Sequence, residues 1–286
     1  MYISIILIEE YYTICYNSVY EKGVEMARKG LGKVMQLVKT VNNELPVETS
    51  FLNDLKRTIE LEEKKNLRKP SQAYKPSSMN CIRCMYYQVI GQEPDASESS
   101  YCLVGICNSG SDIHVRIQTA VEAMKNNDID CEYIDVAEFV KQRGLTDIEI
   151  VSKQGMETKL YHKKYNMSFL CDGIIKYKGR YYILELKTES IYKWQSRKFV
   201  DEKHFNQATA YSLAFGLDKV VFIYINRDLL DMKAFMLEVT DDMRMDLVGK
   251  ISNCDEYVKQ LKVPPKPDID KKQCTYCVYK NRCNKE

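Results

Sequence analysis

Histidine and tryptophan are scarce in this chain of 286 residues, with three of the first and one of the second. A lone histidine is more often a satisfied core or surface residue than a ligand, so each needs independent support before a role is assigned. An excess of charge of one sign is also missing, since the net charge is only +2. That excludes a uniformly basic surface but not nucleic-acid binding, whose electrostatic footprint can be local. Long apolar runs are absent. The N-terminal MYISIILI is followed at once by Glu9 and Glu10. It is too short to cross a bilayer and has no basic segment before it, so a buried strand is expected. The expectation is a cytoplasmic protein with no membrane partner. No internal repeat is visible, which argues against a solenoid.

What is present in quantity is cysteine, eleven residues in all. Without a secretory signal a disulfide framework is not expected, and paired spacing points to a metal instead. Hydrophobic content of 45% and charged content of 29% describe a folded globular protein.

Apolar residues Val24, Met26, Leu31, Val34, Leu37, Val38 and Val41 predict a helix over 21–42. A second helix is expected over 49–67, ending in the charge run ELEEKKNLRK, a solvated face. A linker from Lys69 to Pro76 divides an N-terminal strand and helical region, 1–70, from the remainder, 71–286. Beyond it, helices are predicted over 77–92 from a Ser77 or Ser78 cap, over 111–127, from an Asp135 cap to Gly144, over 201–215 and over 241–261. Strands are predicted at 148–152, 158–162 and, as a buried apolar run, 220–225. The class is α/β, a central mixed sheet flanked by helices.

The stretch from Cys171 to Lys187, CDGIIKYKGRYYILELK, reads as a β-hairpin around Lys178-Gly179. With that loop Tyr177 pairs with Arg180, and counting outward Asp172 falls opposite Glu185. Cross-strand Cβ atoms lie roughly 4.5–5.5 Å apart, which suits two carboxylates sharing a hard divalent cation. Lys187, two residues past Glu185, lies on the same strand face. Carboxylates for Mg²⁺ or Mn²⁺ beside an ammonium suit phosphodiester hydrolysis.

This Asp…Glu-x-Lys arrangement resembles the PD-(D/E)XK nuclease superfamily, and other residues extend the likeness to its RecB-like exonuclease branch. Gln207-Ala-Thr-Ala-Tyr211 places Gln207 and Tyr211 on one helix face and looks like that branch's DNA-contacting helix. GSDIHVRIQ, residues 110–118, looks like its first motif, in which the histidine ligates metal, here His114. His162 and His204 match no such position and are expected at the surface. The segment PSSMNCIRCMYYQ and the tail Cys274-x₂-Cys277-x₅-Cys283 resemble the branch's cluster-binding cysteines. The resemblance implies a [4Fe–4S] cluster on Cys81, Cys274, Cys277 and Cys283, a staple closing the C-terminal tail onto the nuclease core. Cys81, Cys84, Cys274 and Cys277 would instead make an ordinary zinc site. Cys102 and Cys107 read as structural, and Cys15, Cys131, Cys171 and Cys254 as buried small apolar groups.

The resemblance thus implies a restriction-endonuclease-like core and a Mg²⁺- or Mn²⁺-dependent DNA exonuclease. DNA with a free end or a single strand would be its substrate, in recombination, repair or end processing, within a complex of other proteins. Asp172, Glu185 and Lys187 would be catalytic, His114 would complete the metal set, and Gln207 and Tyr211 would hold DNA. Lys193, Arg197 and Lys198 could meet phosphates, and Trp194 could stack a base. The alternatives are a non-catalytic DNA-binding subunit of a recombination complex and an endonuclease of the same superfamily.

Overall fold

The computed structural model describes residues 46–65, 70–95, 100–266, 274–275 and 277–286. The expected first strand and the helix over 21–42 lie outside them, as does Cys15. The chain divides into compact units at Thr58–Ile59, inside helix α1 (Val47–Lys65). No residue of α1 is buried, in keeping with a charged, solvated helix.

In the second unit a 3₁₀ turn, Pro76–Ser78, precedes helix α2 (Ile82–Val89). Ser78 does not cap the helix, because its hydroxyl accepts a hydrogen bond from Gln88 Nε2 (2.8 Å), and the helix begins after Cys81 instead. Helix α3 (Tyr101–Ala123) begins well before the residue 111 predicted from periodicity, and Ser100 caps it. Its first ten residues bury only Val104, so they carry no apolar stripe to reveal them.

Strand β1 (Cys131–Ile134) follows, then helix α4 (Val136–Gln142), whose Glu138 N–H donates to the capping Asp135 carboxylate as expected (2.9 Å). Strands β2 (Ile148–Gln154), β3 (Glu157–His162) and β4 (Met167–Cys171) form an antiparallel sheet of three. The hairpin is strands β5 (Gly173–Tyr177) and β6 (Arg180–Glu189), with Tyr177 opposite Arg180 and Gly173 opposite Leu184. Asp172 alone separates β4 from β5, so it stands where the chain passes from one sheet to the other.

Helices α5 (Ile191–Ser196) and α6 (Phe205–Phe215) carry the chain over to strand β7 (Lys219–Asn226). Gly216, in the left-handed region, stops α6 as predicted. Strand β7 lies parallel to β6, and its apolar run is largely buried. Strand β8 (Met232–Glu238), helix α7 (Asp241–Lys259) and helix α8 (Lys280–Lys285) complete the order. The central sheet is β1-β5-β6-β7-β8, antiparallel except for β6–β7, with helices on both faces. Ile113 and Val121 of α3 pack with Ile175, Leu184, Leu186 and Ile225. Ala208, Tyr211 and Phe215 of α6 join Ile174, Ile183, Phe222 and Tyr224 with Leu160 and Phe169 of the small sheet. Among the described residues no helix is long and apolar enough to cross a membrane.

The hairpin turn puts both Lys178 (φ 48°) and Gly179 (φ 76°) in the left-handed region, the requirement of a type I′ turn. Lysine is strained there by about 1 kcal/mol, and asparagine is tolerated. Lys178→Asn is therefore expected to stabilise the protein by about 0.5–1 kcal/mol in urea denaturation. A loss of stability would show that Lys178 makes contacts the strain does not outweigh.

Candidate active site

The site forms where β5 and β6 part. Their pairing ends at Gly173–Leu184, whereas β6 continues to Glu189 beside β7. The Leu186 N–H therefore lies past the hairpin's last pair, and Asp172 Oδ2 accepts it at 2.7 Å. Continuing the register by one residue sets Asp172 across from Glu185. Two more groups fix the Asp172 backbone. Its carbonyl accepts Gln118 Nε2–H (2.7 Å) from α3 and the Tyr133 hydroxyl (2.9 Å) from β1. Asp172 Oδ1 faces His114 Nδ1 at 3.3 Å. Gly110, one turn before His114, permits this approach, since a Cβ there would stand 3.2 Å from Thr188 Oγ1 of β6.

Glu185 is 3% exposed. Its Oε1 accepts bonds from Lys187 Nζ (2.5 Å) and Gln207 Nε2 (2.7 Å). Its Oε2 is buried without a protein partner. Gln207 Oε1 in turn accepts from Lys187 Nζ (3.0 Å), and Tyr211 donates to the Leu170 carbonyl (2.8 Å) while accepting from Gln207 Nε2 (2.9 Å). Gln207 and Tyr211 are thus both buried, and these hydrogen bonds go to protein, where sequence reasoning expected DNA.

Burial pushes the Glu185 carboxyl up to about 7, with Lys187 pulling down and Asp172 adding to the rise. His114 is lowered by burial, but the Asp172 hydrogen bond and charge outweigh this, and its net shift is upward. Among the described residues no three His, Cys, Asp or Glu side chains converge as a metal-holding group.

The basic run after β6 is engaged internally. Arg197 binds both Glu189 (2.5 Å) and Asp201 (3.1 Å), and Lys193 pairs with the same two carboxylates. Burial of Glu189 recruits these cations to the fold, whereas Lys198 is exposed. Trp194 donates to the Tyr224 carbonyl (2.9 Å) with Lys233 Nζ over its ring, so it packs. Two further histidines differ from expectation. His162 is buried against Tyr165, and His204 stacks on Phe222 and Tyr224, because each ring's apolar faces find aromatic partners. Gln118 closes the GSDIHVRIQ segment but was assigned no role of its own, and Tyr133 carried no sequence signal, since both act through a backbone carbonyl.

One of the tail cysteines expected to bind metal meets α2. Cys84 Sγ lies 3.4 Å from Cys277 Sγ. Hydrogen bonding from Cys84 lowers the Cys81 thiol to about 6 and the Cys277 thiol to about 7, against burial, while Cys84 itself is raised by the same two neighbours. Burial raises Cys274. Buried Arg83 reaches the Cys283 carbonyl (3.1 Å) and the Pro264 carbonyl (2.7 Å), fixing both ends of the tail. Cys131, Cys171 and Cys254 are buried as expected, while Cys102 and Cys107 are exposed.

No family model matches the chain, and no curated protein matches it. Solved structures do resemble it. SSO0001 aligns at a TM-score of 0.45 and 15% identity over 80% of this chain and 94% of its own. LHK-Exo in complex with dAMP aligns at 0.40 and 10% identity, over 66% of this chain and 89% of its own. The alkaline exonuclease LHK-Exo from Laribacter hongkongensis aligns at 0.36 and 11%, over 67% and 90%.

The Glu185 shift fixes a stability profile for the metal-free protein. The folded state keeps a proton on Glu185 up to about pH 7, the unfolded chain only to about 4.5. The folded state therefore binds the extra proton between these values, so stability falls as pH rises through that window and stays low above it. The span is on the order of 3 kcal/mol. Thermal melts from pH 5 to 8 should show this slope, with His114 adding to it in the same direction. Glu185→Gln should flatten it and raise Tm at pH 8. A slope unaltered in that variant would mean the carboxylate is ionised throughout.

Proposed function

We propose that the chain is a metal-dependent deoxyribonuclease, an exonuclease of the RecB-like type on a restriction-endonuclease-like core. The observation that supports this most is the orphaned Oε2 of Glu185, a buried carboxylate oxygen across from Asp172 with the Lys187 ammonium at its side. A buried carboxylate oxygen without a partner is costly, and a hard divalent cation is the partner that this donor set fits. Asp172, Glu185 and His114 would hold Mg²⁺ or Mn²⁺. Such an ion, when bound, neutralises charge developing on a scissile phosphate and acidifies a water. Lys187 would orient that water or stabilise the phosphate oxygens. Gln207 would fix both ends of the Glu185–Lys187 pair, and Tyr211 would fix Gln207. The two act on DNA through the groups they align, where a misplaced reacting group costs rate.

Asp172→Ala, Glu185→Ala and Lys187→Ala should each cut hydrolysis of labelled linear DNA by about a hundredfold or more while the fold persists. Near wild-type rates in either carboxylate variant would overturn the assignment. A wild-type chain that binds DNA without cutting it would be the non-catalytic subunit. One that opens a closed circle would be the endonuclease.

The contact of Cys84 with Cys277 supports a metal staple between α2 and the tail. The resemblance favours [4Fe–4S] on Cys81, Cys274, Cys277 and Cys283. One contact favours zinc on Cys81, Cys84, Cys274 and Cys277. Sulfurs on a tetrahedral zinc stand about 3.8 Å apart, given bonds of about 2.3 Å, close to the 3.4 Å separation of Cys84 and Cys277. Elemental analysis and visible absorption of anaerobic protein separate them. Iron that survives Cys84→Ala but not Cys283→Ala supports the cluster. Zinc with the opposite dependence supports the tetrahedral site.

A further inference from the structure

Gln118 is 0% exposed, yet only half of its amide is used. Its Nε2–H reaches the Asp172 carbonyl, while its Oε1 is buried with no partner. An orphaned buried acceptor destabilises a fold, and a methionine of similar length would fill the same space without that cost. Packing therefore does not explain glutamine here. Tyr133 shows a second constraint at the same carbonyl. A Cβ on Gly173 would stand 2.6 Å from the Tyr133 ring, so the ring occupies the space that glycine leaves open, and from there its hydroxyl reaches Asp172. A carbonyl oxygen has two lone pairs, and these two donors use both. Gln118 on α3, Tyr133 on β1 and the Leu186 N–H on β6 thus hold one residue from three elements, at the corner where no strand pairing holds it.

We propose that Gln118 and Tyr133, together with Gly173, are positioning residues that set the Asp172 carboxylate for divalent-cation binding. This rests on the metal reading of the site given above.

The test is Mn²⁺ binding by titration calorimetry, with thermal melting of the same metal-free samples, on the full chain. Gln118→Met should weaken Mn²⁺ binding about fivefold or more, the scale of one lost hydrogen bond, and leave Tm unchanged or higher because the orphaned oxygen is gone. Tyr133→Phe should weaken binding to a similar degree with its ring packing retained. Gly173→Ala should weaken binding in the wild-type background but add nothing once Tyr133→Ala has emptied the space. Unchanged Mn²⁺ affinity in both Gln118→Met and Tyr133→Phe overturns the proposal. So does a Gln118→Met variant that loses Tm in step with affinity, since that marks a purely structural role. If the wild-type chain binds no Mn²⁺, the metal reading itself fails and this inference falls with it. That result is distinct from binding that is present but indifferent to the variants.

Discussion

The bond from the Leu186 N–H to the Asp172 carboxylate is the constraint on which the site depends. A strand leaving a sheet exposes backbone donors that must find acceptors. Here β6 outlasts its hairpin partner, and the first residue outside that partner supplies a side-chain acceptor. The bond closes the end of the hairpin and at the same time fixes a carboxylate beside Glu185. The sheet edge and the chemistry are one feature, which is why Asp172 stands between β4 and β5 with no strand of its own.

Glu185 shows the opposite balance. Two donors converge on one oxygen while the other is left buried and unpartnered, and burial, with the Asp172 charge, raises the carboxyl's affinity for a proton against the pull of Lys187. An unpartnered buried carboxylate oxygen is electrostatically costly, and perturbed carboxylates of this kind are a general mark of functional sites. Glu189, four residues on, shows what a structural carboxylate on the same strand looks like. It is equally buried but is met by Arg197 and Lys193. Arg197 and Lys193 are occupied with that task, so their charge belongs to the fold, while Lys198 is left at the surface.

The hairpin, its turn and the register of Asp172 against Glu185 were legible in the sequence because they follow from a period of two and a two-residue loop. The buried run of β7 and the Gly216 stop were legible for similar local reasons. Strands β1, β4 and β8 were not. β1 and β4 are short, and β8 is an exposed edge strand alternating exposed with half-buried residues, so none stands out from its flanks. The early start of α3 was hidden because Val104 is its lone buried residue before 111. The inward turn of Gln207 and Tyr211 toward Glu185 and the Leu170 carbonyl, and the stacking of His204 on Phe222 and Tyr224, depend on partners distant in sequence, which no local pattern encodes.

The tail shows the same limit from another side. Cysteine spacing pointed to a metal and to the segments it would join, but spacing says nothing of which thiols meet. In the fold Cys81 stands at the start of α2 and Cys84 one turn along it, so both face the docked tail, and Cys84 is the one that touches Cys277. Arg83 between them is buried and spends its guanidinium on the Pro264 and Cys283 carbonyls. A buried arginine satisfied by carbonyls leaves a positive charge without a paired carboxylate beside a group of thiols. That charge adds to the lowering of the Cys81 thiol, whose main cause is the hydrogen bond from Cys84. One side chain, Arg83, thus docks the tail through two carbonyls and adds to the lowering of the Cys81 thiol.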